Sequence, residues 1–311
     1  MLTGMYELAR KLWDRPLIIL WIPPLLWSGN IVLGRAFGDI YPPVSLAAGR
    51  WIIALGVLAP FVAKRSWAQR ELLQKHWGLI LACGAFGVAG YNALVYVALQ
   101  TTPAANVAFL NSTLPLLVPV AATLLNREPI SARAIVGILV SFAGITWIVA
   151  RGELSVLGEL SLDGGEFLVI FAVANYAIYS VLLRRKPSSL DPLVFLAATM
   201  VAGLLVLAPF LAWELGSGAR VPFDAKSIAA VVYIGLFASL ISFILWNRCV
   251  ATLGSTVTGI SFHLVAVFSA LLAFITLGEH VHSFHLVGIA LILGGFFLAT
   301  SRARRLTATT A

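Results

Sequence analysis

Ten long apolar runs alternate with short polar breaks along the chain. The runs cover residues 17–34, 44–63, 77–99, 105–125, 132–150, 165–183, 192–213, 227–247, 257–277 and 284–301. The breaks carry Tyr41-Pro42-Pro43, Thr101-Thr102-Pro103, Arg127-Glu128-Pro129, Lys186-Pro187-Ser188-Ser189 and Leu253-Gly254-Ser255. Proline and glycine at such places stop helices and turn the chain. A helix needs about 20 mostly apolar residues to cross a bilayer, which each run roughly supplies. None of the runs alternates with period two, and each is about twice the length of a porin strand. The pattern therefore predicts an all-α integral membrane protein with ten transmembrane helices. No connection is long enough for a soluble domain. The first run is long and lacks a small-residue cleavage site, so a retained first helix is expected rather than a signal peptide.

Composition agrees with this pattern and narrows it. Of 311 residues, 60% are hydrophobic and 11% are charged. A soluble domain carries about 25% charged residues, so a soluble enzyme is excluded, as is a disordered chain. The two cysteines, Cys83 and Cys249, lie in apolar runs and imply no disulfide framework. The net charge is +8, and its placement points to topology rather than to a nucleic-acid partner. With the N-terminus inside, the inner segments hold 16 Lys and Arg and the outer loops hold four, with Arg50 inside the second run. Basic residues favour the cytoplasmic side. Ten spans with both termini cytoplasmic, in a bacterial inner membrane, are expected.

The two halves of the chain are alike. Leu58-Ala59-Pro60-Phe61 recurs as Leu207-Ala208-Pro209-Phe210. At an offset of 151, Gly84, Phe86, Glu128, Gly137, Gly144 and Arg151 meet Gly235, Phe237, Glu279, Gly288, Gly295 and Arg302. Each half, 17–151 and 163–302, holds five runs. An odd number forces consecutive halves into opposite orientations, the inverted-repeat plan of many secondary transporters.

These residues also resemble a known family. Gly278-Glu279 followed by Leu286-Val287-Gly288-Ile289-Ala290-Leu291-Ile292-Leu293-Gly294-Gly295 is similar to a signature of the EamA-type, ten-helix drug/metabolite transporters. Arg127-Glu128 with Ile135-Val136-Gly137 and Ser141-Phe142-Ala143-Gly144 resembles the same signature in the first half. Trp27-Ser28-Gly29-Asn30 and Ala47-Ala48-Gly49-Arg50-Trp51 resemble the family's first and second helices. Within the superfamily the chain most resembles the YddG-type bacterial amino-acid exporters. The resemblance implies two inverted five-helix repeats around a central cavity, lined mainly by helices 1, 3, 4, 6, 8 and 9, with helices 5 and 10 peripheral. One departure is Arg127, where the family often has glycine before the glutamate.

Polar side chains inside membrane helices usually face the bundle interior. The candidates for a substrate site are Trp27, Asn30, Tyr91, Asn92, Tyr96, Asn111, Asn175, Tyr179, Ser242, Trp246 and His263. Asn92 and Tyr96, four apart, share a helical face, as do Asn175 and Tyr179. Ser239, Ser242 and Trp246 form a matching stripe in the eighth run. Amides and hydroxyls suit the polar ends of an amino acid, and aromatic faces suit its side chain and its cation. The competing reading for each is packing glue between helices or interfacial anchoring. Pro115 and Pro119 lie mid-span in the fourth run and predict a bend there.

Arg50 reads as a residue that snorkels or pairs with a carbonyl or acid, a substrate carboxylate being the sharper alternative. Glu279, His280, His282 and His285 cluster between the last two runs, but their spacing fits no standard zinc pattern. No metal and no cofactor is expected. No Asp or Glu lies deep in any run, so a neutral or zwitterionic cargo is expected rather than one moved by a carboxylate proton relay. The small-residue faces of the fifth and tenth runs read as intramolecular packing, which makes a monomer the expectation over a homodimer. The leading reading is a secondary transporter that exports aromatic or neutral amino acids, or similar amphipathic metabolites, by alternating access. The alternatives are an exporter of drugs or lipophilic cations, a membrane enzyme, and an assembly subunit. Against an enzyme, no nucleophile elbow, zinc-protease motif or paired intramembrane aspartate is found.

Overall fold

The computed structural model describes residues 13–37, 41–102, 104–153, 155, 164–277 and 282–308. Among them the chain is helical between short turns, with no strand. Ten helices coincide with the ten apolar runs to within a few residues. They are α1 (Ile22–Phe37), α2 (Pro43–Ala68), α3 (Trp77–Ala98), α4 (104–126), α5 (Ala132–Val149), α6 (Gly164–Arg185), α7 (Pro192–Gly216), α8 (Ala225–Leu253), α9 (255–277) and α10 (Ser283–Ala308). A short helix, Pro16–Ile19, leads into α1, and another, Arg70–Lys75, links α2 to α3. Among the described residues nine helices are long and apolar enough to cross a membrane, and α1 is the tenth of the bundle. Large apolar side chains on the outside, such as Phe61, Leu124, Leu205 and Ile275, are 69–75% exposed, as a lipid-facing surface requires. Trp67, Trp77 and Trp213 are exposed near helix ends, where indole rings anchor at the headgroups.

The two ends of the bundle are tied by polar contacts. At one end Arg65 pairs with Asp191 at 2.7 Å, Arg184 with Glu128 at 3.0 Å, and Arg185 Nε donates to Asn126 Oδ1 at 2.9 Å. At the other end Glu214, buried at the end of α7, accepts from the Val44 and Ser45 amides at 2.9 and 2.7 Å and from Ser45 Oγ at 2.7 Å. Its carboxylate therefore caps α2, whose own N-cap is Pro42 and provides no side-chain acceptor. Negative charge at a helix N-terminus is stabilising. Nearby, Asn106 Nδ2 donates to Glu166 Oε1 at 3.1 Å, and Tyr41 OH donates to the Pro222 carbonyl at 3.2 Å.

α5 and α10 pack on each other along their length, and about a third of each is buried, against 61% of α6. Glycine permits the approach. A Cβ at Gly137 would lie 2.5 Å from the Gly295 carbonyl, and one at Gly144 would lie 2.6 Å from the Gly288 carbonyl. The same exchange of partners occurs where α3 meets α7 and α8 meets α2. A Cβ at Gly84 would fall 2.7 Å from Thr199 O and 2.8 Å from Ala202 Cβ, while one at Gly235 would fall 3.0 Å from Arg50 O and 2.9 Å from Ile53 Cβ.

Several helices depart from regular α geometry; α9 has a short 3₁₀ turn at Ser261–His263, and α3, α8 and α4 depart further. α3 widens into a π-helical stretch at Gly84–Gly90 and α8 does so at Ile234–Ile241. In α8 the hydroxyls of Ser239 and Ser242 donate five residues back, to Ile234 O and Phe237 O, at 2.9 and 2.8 Å. π turns occur mostly as short interruptions, frequently at functional sites. α4 breaks at Ser112-Thr113 and restarts at Leu114, with Pro115 in its first turn. Pro115 has no amide proton to give the preceding turn, so the bend read from the two prolines takes the form of a break just ahead of the first.

Candidate functional site

A cavity of about 150 Å³ lies at the centre of the bundle. α1 contributes Trp27 and Asn30, α3 contributes Tyr91, Asn92, Val95 and Tyr96, and α4 contributes Ala108, Asn111 and Ser112. α6 gives Tyr176, α8 gives Phe243, and α9 gives Phe262, Val265, Ala266 and Ser269. Arg50 of α2 and Ile145 of α5 complete the wall. A second, almost wholly apolar concavity opens on the bundle's outer side between α2, α3 and α7, around Leu55, Ala59, Trp77 and Ala198.

One side of the central cavity is polar and is organised by Arg50. This side chain is 1% exposed. It sits seven residues into α2, about 10 Å below the helix start at 1.5 Å per residue, and it does not snorkel. Its Nε donates to Ser239 Oγ at 2.5 Å, and its Nη1 donates to Asn92 Oδ1 at 2.6 Å and to Tyr96 OH at 2.8 Å. Its Nη2 donates to the Ala238 carbonyl at 3.1 Å. That carbonyl belongs to the π stretch of α8 and also accepts from Trp27 Nε1 at 2.9 Å. The π stretch of α3 is used in the same way, with Trp51 Nε1 donating to Val88 O at 2.9 Å. The bonds continue from Tyr96 OH to Asn30 Oδ1 at 3.4 Å, and separately from Tyr91 OH to Asn111 Oδ1 at 3.3 Å. No carboxylate pairs with Arg50 among the described residues. Of the two pairings read from sequence, a carbonyl is present and an acid is not.

The other side is aromatic. Trp27 stands 6.0 Å from Tyr176 at 86° and 5.6 Å from Phe262, and Tyr91 lies 4.8 Å from Tyr176, all between ring centroids. Phe243 meets Trp51 edge-on at 4.7 Å. Edge-to-face and tilted arrangements of this kind hold rings in fixed orientations.

Of the eleven candidates read from sequence, Trp27, Asn30, Tyr91, Asn92, Tyr96 and Asn111 line the cavity together. The other five stand behind or beside its wall. Trp246 is fully buried 5.2 Å from Trp27 and 5.5 Å from Tyr176, and so backs both rings. Tyr179 donates to Asn247 Oδ1 at 2.9 Å, and a Cβ at Gly87 would meet its ring. Asn175 Nδ2 donates to Phe171 O in its own helix at 2.9 Å, and Ser242 is spent on Phe237 O. His263 Nε2 lies 3.1 Å from the Ser112 carbonyl, which can only accept, so Nε2 carries the proton. This bond lands on the break in α4. On α8 the wall residue is Phe243 rather than Ser242, because counting from Ser239 at α spacing ignores the extra residue of each π turn. Arg50 is not one of those eleven, although its depth in the second run already gave a substrate carboxylate as the sharper alternative for it. Of the Glu279–His285 cluster, Glu279 and His280 lie outside the described residues. His285 Nδ1 accepts from the His282 amide at 3.1 Å.

The chain has relatives among known proteins. It is 26% identical to the uncharacterized transporter YyaM of Bacillus subtilis (strain 168), over 84% of this chain and 85% of that protein. It is also 26% identical to a probable terminal-alkyne amino-acid exporter of Streptantibioticus cattleyicolor, over 95% of both chains. A solved crystal structure shares the fold with a TM-score of 0.75 at 22% identity, covering 94% of this chain and 98% of the other. The model of the EamA-like transporter family matches residues 15–150 and again 163–301. The chain, a multi-pass membrane transporter, therefore belongs to the EamA-like transporter family.

Proposed function

We propose that the protein exports neutral amino acids with aromatic or aliphatic side chains, and similar small amphipathic metabolites, across the cytoplasmic membrane by alternating access. The observation that carries this reading is the central cavity, amphipathic in the way such a solute is. Arg50, Asn92 and Tyr96 face it on the polar side, and Trp27, Tyr91, Tyr176 and Phe262 on the other. The similarity to a probable amino-acid exporter agrees with this.

Alternating access about this cavity rests on two inverted halves, residues 17–151 and 163–302. Three facts support them. The family matches the chain twice in succession. The helices carrying the two π stretches are related by the offset of 151. The glycine contacts of α5 with α10, and of α3 and α8 with α7 and α2, exchange partners as a two-fold relation requires. Rocking of one half against the other then opens the cavity to each side in turn. The break in α4 at Ser112-Thr113 and the short 3₁₀ turn in α9 at Ser261–His263 lie beside the cavity, and they are where the helices bend. The 16:4 bias of basic residues supports cytoplasmic termini.

The test is flux in proteoliposomes. Tryptophan, phenylalanine and leucine are expected to cross at rates above protein-free vesicles, with and without a pH gradient. Flux of a lipophilic cationic dye without flux of any amino acid would replace this reading with drug export.

A further inference from the structure

We infer that Arg50 and Asn92 form a seat for a carboxylate, and that the cavity selects organic monocarboxylates with an apolar body, the α-ammonium of an amino acid being accessory. This rests on the reading of the cavity as the transport site and names what that site recognises. The first ground is the charge of the wall. Arginine is permanently charged, and an isolated charge inside a membrane is costly. Arg50 is the one charged side chain among the cavity-lining residues, and its protein partners are all neutral. A bound anion is the missing counter-charge.

The second ground is the count of donors. A guanidinium has five N–H groups. Four are engaged by Ser239, Asn92, Tyr96 and the Ala238 carbonyl, leaving one on Nη2 without an acceptor among the described residues. Asn92 is 6% exposed, and its Nδ2 has no partner among the described residues. Its orientation is not arbitrary: Nη1 can only donate, so Oδ1 must face Arg50 and the NH2 group must face elsewhere. Two buried donors thus remain for a ligand's oxygens. For an ammonium the wall offers neutral acceptors: Asn30 Oδ1 and Asn111 Oδ1, each already accepting from a tyrosine, and the hydroxyls of Tyr176 and Ser269, which have no partner among the described residues. A cation without a carboxylate meets the field of Arg50 with nothing to offset it.

The experiment compares three ligands of one shape on the purified full-length protein: 3-indolepropionate, tryptophan and tryptamine. Titration calorimetry is expected to find the two carboxylates within about tenfold of each other and tryptamine weaker by about 100-fold, the effect of losing a charge-assisted bond in a desolvated site. Arg50→Gln removes the seat but also four bonds, and it can fail to fold. Asn92→Asp avoids this difficulty: it places a carboxylate beside the guanidinium from within, and is expected to weaken both carboxylates by about 10- to 100-fold. Equal affinity for tryptamine and indolepropionate, wild-type affinity of Asn92→Asp for the carboxylates, or no saturable binding of either carboxylate would overturn the inference. Carboxylate binding without flux in proteoliposomes would instead overturn the transport reading and leave the seat standing. Equal flux of tryptophan and tryptamine would do the reverse.

Discussion

Ser141 Oγ of α5 donates to the Ile292 carbonyl of α10 at 3.0 Å, and the two residues are 151 positions apart in the chain. The bond lies at the centre of an exchange in which Gly137 meets Gly295 and Gly144 meets Gly288. Backbone touches backbone at both crossings, so neither neighbour can step aside as a flexible side chain would. Gly144→Ala and Gly137→Ala are each expected to destabilise the protein by about 1–3 kcal/mol, the usual cost of overpacking. Gly294, next to Gly295 on the same helix, has nothing within 4 Å of an added Cβ. Gly294→Ala is expected to stabilise by about 0.5–1 kcal/mol through helix propensity alone. Thermal midpoints in detergent for the three variants check the pair of opposite signs; a fall in all three would refute the packing argument.

Tyr96 joins both sides of the polar network, accepting from Arg50 and donating to Asn30. Tyr96→Phe keeps the ring and loses both bonds. It is expected to lower amino-acid flux about tenfold, the worth of one hydrogen bond to a charged group, with unchanged amounts of protein in the membrane. Trp246→Ala acts differently. It removes the ring behind Trp27 and Tyr176 without touching the cavity, so its expected signature is a raised KM. Wild-type flux in both variants would exclude this face of the bundle from transport.

The fold was legible because a lipid solvent makes hydrophobic run length nearly equal to helix length. The ends of α2, α5 and α7 fall within a few residues of the runs for that reason. The π stretches were not legible. Gly84-Ala85-Phe86-Gly87 is as apolar as regular helix, and the close packing of Gly84 against Thr199 and Ala202 involves a distant helix that no local pattern shows. The choice of Phe243 over Ser242 as a wall residue follows from the same invisible turn. For Arg50 the pairing with a carbonyl was legible and its inward direction was not. From sequence an arginine seven residues into a helix is near enough the surface to bend outward. What holds it inward is a set of partners from α3 and α8 that no spacing rule brings together.

Both native cysteines are buried and free, each 0% exposed, so the native chain is a quiet background for labelling. Ser188→Cys lies in the exposed turn between α6 and α7, and Ser217→Cys in the exposed turn after α7. A membrane-impermeant maleimide is expected to label Ser217→Cys on intact cells and Ser188→Cys only after permeabilisation. The opposite result would invert the orientation drawn from the basic residues.

Asp191 caps α7, accepting from the Leu193 and Val194 amides at 2.8 and 3.2 Å and from Arg65 at 2.7 Å. Burial alone raises its pKa, but the two amides and the guanidinium outweigh that and hold it below the ordinary value of 3.8. A carboxylate with a depressed folded-state pKa stabilises fully above its unfolded value, and that stability is lost as pH falls through the folded one. Asp191→Ala is expected to cost about 1 kcal/mol at neutral pH, as for other N-caps. The difference from wild type should shrink only below about pH 4. Thermal midpoints of the two proteins at pH 7, 5 and 3.5 read this directly, and a gap that closes by pH 5 would assign the effect to another group.

Arg127 stands where the family often has glycine, and its backbone explains the preference. It ends α4 at φ 55°, ψ 32°, in the left-handed region, its own amide donating to Thr123 O at 3.0 Å and that of Glu128 reaching back to Ala122 O at 3.2 Å. Residues with a Cβ are strained there by roughly 1–2 kcal/mol, and glycine is not. The turn holds its shape through its neighbours: Glu128 pairs with Arg184, Asn126 Nδ2 donates to Val181 O at 3.2 Å, and Thr123 Oγ1 donates to Glu128 O at 2.9 Å. None of these bonds uses the Arg127 side chain. Arg127→Gly is therefore expected to stabilise the protein by about 0.5–1 kcal/mol, the relief of strain being partly offset by the freer unfolded chain. Arg127→Ala keeps the strain and is expected to leave the thermal midpoint near wild type. A midpoint for Arg127→Gly at or below that of Arg127→Ala would show that the arginine side chain, and not the backbone, matters at this turn.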